Sequence, residues 1–169
     1  FKLKEIDEKY NLIRENSNIL DLGCAPGGWS QYASQKLKNI NITAVDLLDM
    51  EKIPNVNFVQ SDISDFAEKL EKNGNFKKID LVISCVSEMN NEISEIILNT
   101  TFQEFAHIYD INYRNETNTH YKNISLKKNV SFNSGEGMLV EQAALSWGRW
   151  FGDIPDTSDV KARIENGRL

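Results

Sequence analysis

The chain has little of several things that would fix its class at once. Cys24 and Cys85 are the only cysteines among 169 residues, too few for a disulfide scaffold and without the paired spacing of a zinc site. Reduced thiols and no metal site are expected. No run of about 18 apolar residues occurs, and the opening FKLKEIDEKY is charged where a secretory leader would be apolar, so no membrane contact and a cytoplasmic location are expected. Proline is scarce, with 3 residues, and no Pro-rich linker, repeat or low-complexity tract divides the chain. An excess of basic charge is also missing. Against 19 basic residues stand 25 acidic ones, net −6, with 11 and 13 in residues 1–84 and 8 and 12 in residues 85–169. That sign excludes a surface that binds nucleic acid throughout and leaves only local patches, such as Lys2 and Lys4. Abundant asparagine forms triplets such as Asn41-Ile42-Thr43, read here as compositional bias.

What is present is a hydrophobic content of 40%, enough to close one core, so a single domain over residues 1–169 is expected. Short apolar runs alternate with helical patterns, the signature of βαβ units in an α/β fold. Strands are expected at Asn18 to Leu22, Ile40 to Asp46, Val56 to Gln60, Ile79 to Ser84, His107 to Tyr113 and Asn129 to Asn133. Helices are expected at Phe1 to Arg14, Trp29 to Leu37, Phe66 to Lys72 and Met138 to Phe151. The run Ile79-Asp80-Leu81-Val82-Ile83-Ser84 suits a central strand covered on both faces. Arg114 to Lys128 is polar with poor periodicity and reads as a surface excursion, and the tail after Pro155 reads as a short polar helix at most. The whole is a Rossmann-like, doubly wound, mainly parallel sheet of six strands in the order 3-2-1-4-5-6, with helices on both faces.

The segment ILDLGCAPGGWS puts Gly23, Gly27 and Gly28 between the first strand and a helix, where an open parallel sheet binds nucleotides. It is neither the G-x-G-x-x-G dinucleotide turn nor a P-loop, since no Gly-Lys-Ser/Thr follows. Asp21 inside the motif suits a cationic ligand better than a polyphosphate. Asp46 ends the second strand, where a carboxylate accepts both ribose hydroxyls or caps a helix. Asp62 follows the third strand, where it meets an adenine amino group or, with Ser61, caps the next helix. Three acids therefore line one edge of the sheet.

FKLKEID, ILDLGCAPGGWSQYASQ, VDLLDM and FVQSDI resemble the FtsJ/RrmJ family of RNA 2′-O-ribose methyltransferases over residues 1–84. The resemblance implies an S-adenosylmethionine site built from Gly23, Pro26, Gly27, Gly28 and Trp29, with Asp46 on the ribose and Asp62 near the adenine. It implies a role in rRNA processing, and it matches Lys2 to the first lysine of a Lys-Asp-Lys-Glu catalytic set, where it would orient or deprotonate the attacking hydroxyl. The family's catalytic aspartate position holds Cys85, and Ser131 or a neighbour stands where its second lysine would be. The final glutamate has no match. Methyl transfer is therefore expected to be impaired.

IYDINYRNET and GEGMLVEQAALSWGRWFG resemble the C-terminal part of shikimate dehydrogenase over residues 107–152. That resemblance implies Tyr113 and Gln142 beside a substrate, and Gly135 and Gly137 beside a nicotinamide. The dehydrogenase's catalytic lysine and aspartate belong to a domain without counterpart here. A hybrid chain is the expectation, with a methyltransferase-like half at 1–84, a dehydrogenase-like half at 85–169 and a join near Asp80 to Met89. The alternatives are a folded hybrid scaffold without activity, or an NAD(P)-binding remnant, in which Asp46 disfavours a 2′-phosphate. Leu139, Val140, Ala143, Ala144, Trp147, Trp150 and Phe151 are expected to cover the sheet as a core helix, any exposed remainder serving as a homodimer surface. With strands one and four adjacent, Cys24 and Cys85 are expected to lie close together at the mouth of the cleft.

Overall fold

A computed structural model describes residues 2–66, 68, 77–86, 91–113 and 115–165. In chain order the elements are α1 (Lys2–Tyr10), β1 (Asn18–Leu22), α2 (Gly28–Lys36), β2 (Asn41–Asp46), β3 (Val56–Gln60) and β4 (Ile79–Ser84). There follow α3 (Asn91–Asn99), β5 (Phe102–Asp110), α4 (Asn115–Lys128), β6 (Ser131–Ser134), α5 (Glu136–Phe151) and α6 (Ser158–Glu165). The six strands form one sheet in the order β3-β2-β1-β4-β5-β6, and every pair is parallel. The class and the strand order agree with the sequence, and β1, β3 and β4 have the expected bounds.

Alternation along the strands divides the core between the two faces. Ile19, Leu81, Ile83 and Tyr109 join Ile6, Leu12, Ile13, Trp29 and Ala33 in one cluster, which puts α1 and α2 on the same face. Leu20, Leu22, Val82 and Ile108 meet Phe66, Ile96, Ile97, Tyr121 and Ile124 in the other. Asp80, the half-buried polar residue of β4, accepts the Asn18 backbone N–H through Oδ2 at 2.9 Å and fixes where β1 begins against β4. On α1, buried Asp7 takes donors from Ile13 N, Tyr32 Oη and Lys36 Nζ, so one carboxylate ties α1, the turn after it and α2 together.

Three expectations are corrected and one helix is added. The fifth strand runs from Phe102 to Asp110 rather than from His107 to Tyr113, because a register shift between Ile79 and Leu81 lets its polar first half pair with β4. Residues 115–128 are a helix rather than a surface excursion: Tyr121, Ile124 and Ser125 form a narrow buried stripe, and the Tyr121 hydroxyl donates to Ser84 Oγ at 2.7 Å. Arg114 lies outside the described residues. Helix α3 is additional to the expected elements: Ile93, Ile96 and Ile97 have helical spacing and are all buried. Lastly, α5 is not a core helix, for only Ala144 is buried along it, while Trp147, Trp150 and Phe151 are 48%, 77% and 62% exposed.

The smaller differences lie at element ends. The first helix stops at Tyr10, the sixth strand is Ser131–Ser134, and the helix expected from Phe66 already begins at residue 63, its residues 67 and 69–72 lying outside the described set. The polar helix expected after Pro155 is α6. Among the described residues no helix is long and apolar enough to cross a membrane.

Candidate functional site

The carboxyl ends of β1, β2 and β4 meet at the glycine turn. Gly23 has φ +70° and Gly27 has φ +98°, the left-handed region that side chains disfavour. A Cβ on Gly23 would stand 3.1 Å from the backbone of Cys85 and Val86, so the turn presses against the exit of β4. The turn closes through Gly27 N donating to Cys24 O at 2.6 Å, and it is held to β2 by Gly23 N donating to Val45 O at 2.9 Å. The Ala25–Pro26 peptide is cis. Gly27 caps α2 without any side-chain hydrogen bond. At Gly28 a Cβ would meet nothing within 4 Å, so that position faces open space.

Asp46 organises this corner. Its Oδ2 accepts Ala25 N and its Oδ1 accepts Leu48 N, each at 2.8 Å, which fastens the turn of β1 to the loop after β2. Each carboxylate oxygen keeps a further lone pair for a ligand hydroxyl. Met50 and Ile53, from that loop, lean over Gly27, where a Cβ would be 3.1 Å from the Met50 sulfur and 2.8 Å from Ile53 Cδ1. A cavity of about 600 Å³ lies between this loop and α2, with Pro26, Gln31 and Asp49 on its walls.

Asp21 is buried, with Oδ2 accepting the Ser30 hydroxyl at 2.6 Å and Oδ1 without a partner. Burial pushes its pKa up to about 6 against the lowering effect of Ser30. Asp62, at the end of β3, is exposed. Its Oδ1 accepts both Ser64 N and Ser64 Oγ, at 2.9 and 2.6 Å, which hold its carboxyl below the ordinary range. It therefore caps the helical residues beginning at 63, the alternative the sequence left open for it.

Trp29 is the second residue of α2, beside the glycine turn, with its side chain directed away from solvent. Its indole is 5% exposed and packs against Tyr109 at 5.6 Å between ring centroids, because the first turn of α2 rotates it into the core. Pro26 is exposed beside the turn. Lys2 begins α1, and its side chain lies outside the described residues. Lys4, the other half of the expected basic patch, pairs with Glu8 at 3.7 Å. Tyr113 is exposed and Gln142 half-buried.

The two thiols stand at the carboxyl ends of neighbouring strands. Cys24 is buried, with its sulfur 3.9 Å from that of Met50, and burial with the charges of Asp21 and Asp46 pushes its pKa up to about 12. Cys85 is driven higher still by burial, Asp21, Cys24, Asp110 and Asp46. It is a neutral thiol and supplies no anion at the end of β4.

Sequence reasoning missed Asp110. It ends β5 opposite Ser84, buried, with Oδ1 accepting Asn112 N at 3.1 Å and Oδ2 unpartnered. Burial raises its pKa to about 6. The signal was available: β1, β2 and β5 each carry an aspartate within the last two positions after an apolar run.

The sequence model of the FtsJ-like methyltransferase family matches residues 1–140. The chain belongs to the FtsJ-like methyltransferases. Members of this family use S-adenosylmethionine as methyl donor. A second family, the shikimate 5′-dehydrogenase C-terminal domain, matches residues 135–165. Among curated relatives, the ribosomal RNA large subunit methyltransferase E of Pseudomonas fluorescens is 48% identical over 88 residues, covering 50% of this chain and 42% of its own length. The protein of the same description from Ehrlichia chaffeensis is 42% identical over 87 residues, covering 50% and 41%. The matched segment thus spans less than half of these relatives. Of solved structures, a chorismate mutase/shikimate 5-dehydrogenase fusion protein from Clostridium acetobutylicum superposes with TM-score 0.58 at 20% identity, over 99% of this chain and 59% of that one. Shikimate dehydrogenase from Aquifex aeolicus gives 0.57 at 15%, over 96% and 58%. At those identities the shared property is the doubly wound fold.

The buried acids of this FtsJ-like domain set a pH dependence. Asp21 and Asp110 have folded pKa values raised from 3.8 to about 6, so the folded state holds protons that the unfolded state has released. Their effect is a stability that falls as pH rises from about 4 to about 6 and then levels. His107, lowered by burial to about 4, acts in the opposite direction between about 4 and 6.5. Asp110→Asn removes one falling component. Denaturant unfolding at pH 4.5 and 7.5 is expected to show the variant gaining on the wild type by about 1 to 3 kcal/mol across that interval; an identical pH dependence would contradict the burial assigned to Asp110.

Proposed function

We propose that the chain is the S-adenosylmethionine-binding part of an RNA 2′-O-ribose methyltransferase acting in rRNA processing, with methyl transfer impaired by Cys85. The observation that carries the reading is the corner at Asp46, a carboxylate with free lone pairs fixed beside a glycine turn that leaves open space at Gly28. An adenosyl group fits these residues. Asp46 accepts the ribose hydroxyls, the α2 N-terminus at Gly27 and Gly28 permits close approach of the ligand, and the unpartnered oxygen of Asp21 favours the positive end of the donor. Asp62 takes the adenine side through the lone pairs its capping bonds leave. Bound there, S-adenosylmethionine supplies a methyl group on a sulfonium, a good leaving group, so that positioning carries much of the rate.

The proton side of the reaction is weaker. Lys2 is the residue to orient or deprotonate the attacking ribose hydroxyl, and an anion at the end of β4 would steer it. Cys85 stays neutral there, because burial above all, and then the neighbouring charges of Asp21 and Asp110, oppose its ionisation. Binding therefore outlasts catalysis.

A second reading is favoured by the dehydrogenase match at residues 135–165: a recombined scaffold that keeps the sheet and either binds no nucleotide or retains an NAD site, with Asp46 on the ribose. The spacing of Gly23, Gly27 and Gly28 argues against a pyrophosphate cradle. A homodimer is also proposed, through the exposed face of α5 around Trp147, Trp150 and Phe151, since contiguous apolar surface of this kind marks contact sites.

Calorimetric titration with S-adenosylmethionine, S-adenosylhomocysteine, NAD and NADP is expected to show binding of the first two alone. Gly28→Val, which fills the open space, is expected to weaken them by about tenfold or more. A cooperative melt with no binding by the wild type would favour the inactive scaffold. For catalysis, Cys85→Asp is expected to raise methyl transfer to ribosomal RNA fragments without tightening the cofactor, and an unchanged rate would remove Cys85 as the cause of impairment. For assembly, sedimentation equilibrium is expected to find a dimer that Trp150→Glu dissociates; a wild type that stays monomeric at every concentration would refute it.

A further inference from the structure

All strands of the sheet are parallel, so their starts share one edge and their ends the other. At or just after the ends stand Asp46, Asp62 and Asp110. The starts carry mostly the opposite charge. Arg14 and Glu15 precede β1, Lys38 precedes β2, Lys77 and Lys78 precede β4, and Lys127 and Lys128 precede β6. The net charge of −6 thus hides a polarity along the strands. We propose that this amino edge, at the far end of the strands from the glycine turn, binds a single-stranded segment of RNA. The choice of RNA rests on the methyltransferase reading above.

A groove of about 450 Å³ opens at the starts of β2, β1 and β4, with Asn16, Asn18, Lys38, Asn39, Asn41 and Lys77 on its walls and no carboxylate among its lining residues. Lys38 and Lys77 are exposed, and among the described residues neither is ion-paired. Asp80, the half-buried acid of β4, is engaged by Asn18 N at 2.9 Å. The Asn18 amide donates to Lys78 O at 3.0 Å and accepts Asn41 Nδ2 at 2.9 Å, which sets two carboxamides into the wall. Carboxamides offer donors and acceptors together, the complement of base edges and ribose hydroxyls, while the lysines suit phosphates.

An aromatic ring stands beside the groove. Between Phe102, paired with Ile79, and His107, paired with Leu81, β5 carries extra residues. The bulge leaves Phe105 76% exposed at φ +63°, an outlier for a bulky side chain. Arg14 ties it to the groove: Nη2 donates to Phe105 O at 3.0 Å, and the Arg14 carbonyl accepts Ser17 N at 3.2 Å, between the wall residues Asn16 and Asn18. Phe105 and the wall are therefore no more than one arginine side chain apart. A basic groove beside an aromatic platform is the arrangement that holds single strands, since any unstacked base has a face to offer the ring. A duplex keeps its bases inside and would leave Phe105 unused.

Fluorescence anisotropy of the full chain with a labelled single-stranded RNA of about eight nucleotides is expected to show saturable binding that weakens with salt. Combining Lys38→Gln with Lys77→Gln is expected to lower the slope of log affinity against log salt by about 1.4, for two phosphate contacts at about 0.7 each. Phe105→Asn keeps a residue that accepts the left-handed backbone and removes the ring. It is expected to weaken binding about tenfold at unchanged slope, whereas Phe105→Tyr is expected to bind like the wild type. Thermal melts report that each variant folds. A wild type that binds no RNA, an unaltered slope in the lysine variant or an unaltered affinity in Phe105→Asn would overturn the proposal. So would polyglutamate that displaces the RNA as well as unlabelled RNA does, which marks a surface for any polyanion. Calorimetry with S-adenosylmethionine separates the two readings. RNA held at this edge by a chain that binds no S-adenosylmethionine leaves the edge standing and fails the methyltransferase reading, and cofactor binding without RNA at the edge means the reverse.

Discussion

Gly23 lies so near the backbone of Cys85 and Val86 that a single methyl group would press on it at 3.1 Å. The rest of the site depends on this approach. It joins the exits of β1 and β4, the two central strands, and leaves the crevice of the doubly wound sheet at the point where the strand order reverses. The left-handed turn that follows sends α2 back across the face, and Asp46 locks the same turn to β2 by accepting Ala25 N, while Leu48 N holds the loop after β2 to the same carboxylate. A side chain at position 23 would press on the backbone leaving β4 at 3.1 Å and strain a left-handed φ of +70°, so the constraint is steric before it is chemical.

Three buried carboxylates show how one fold uses the same group differently. Asp7 takes donors from a backbone amide, a phenol and an ammonium, the number a buried anion needs to stand away from water. Asp21 and Asp110 each keep one oxygen without a donor, and both are displaced toward the protonated form. The satisfied acid lies in the helix layer and the unsatisfied two at the carboxyl edge of the sheet. Cys85 follows the strand between theirs, and burial, reinforced by both acids, keeps its thiol protonated.

Much of the fold was legible because β1, β3 and β4 are apolar runs bounded by turn residues, and the glycine turn has few physical interpretations between a strand and a helix. The failures have local causes. Helix α4 presents a stripe of only Tyr121, Ile124 and Ser125 to the core, too narrow to stand out in a polar sequence. The first half of β5 is polar because it pairs near the edge of the core, where alternation is lost. Helix α5 reads as core by composition, yet its tryptophans face outward; a hydrophobic helix states that it will be covered and does not state by what. At the site, Asp21 and Asp46 stand at the strand ends where the spacing put them and Asp62 takes the capping alternative, on Ser64, while the direction of the Trp29 indole depends on which side of the first turn of α2 it falls.

The Asp7 knot makes α1 and α2 one mechanical piece. Lys36 bonds both Asp7 and the carbonyl of Ile13, so the first helix cannot slide without dragging the second. The second begins at Gly28, on the glycine turn, while the first begins at Lys2. A single buried carboxylate therefore sets where the helix that starts at Lys2 lies against the helix that starts at the glycine turn.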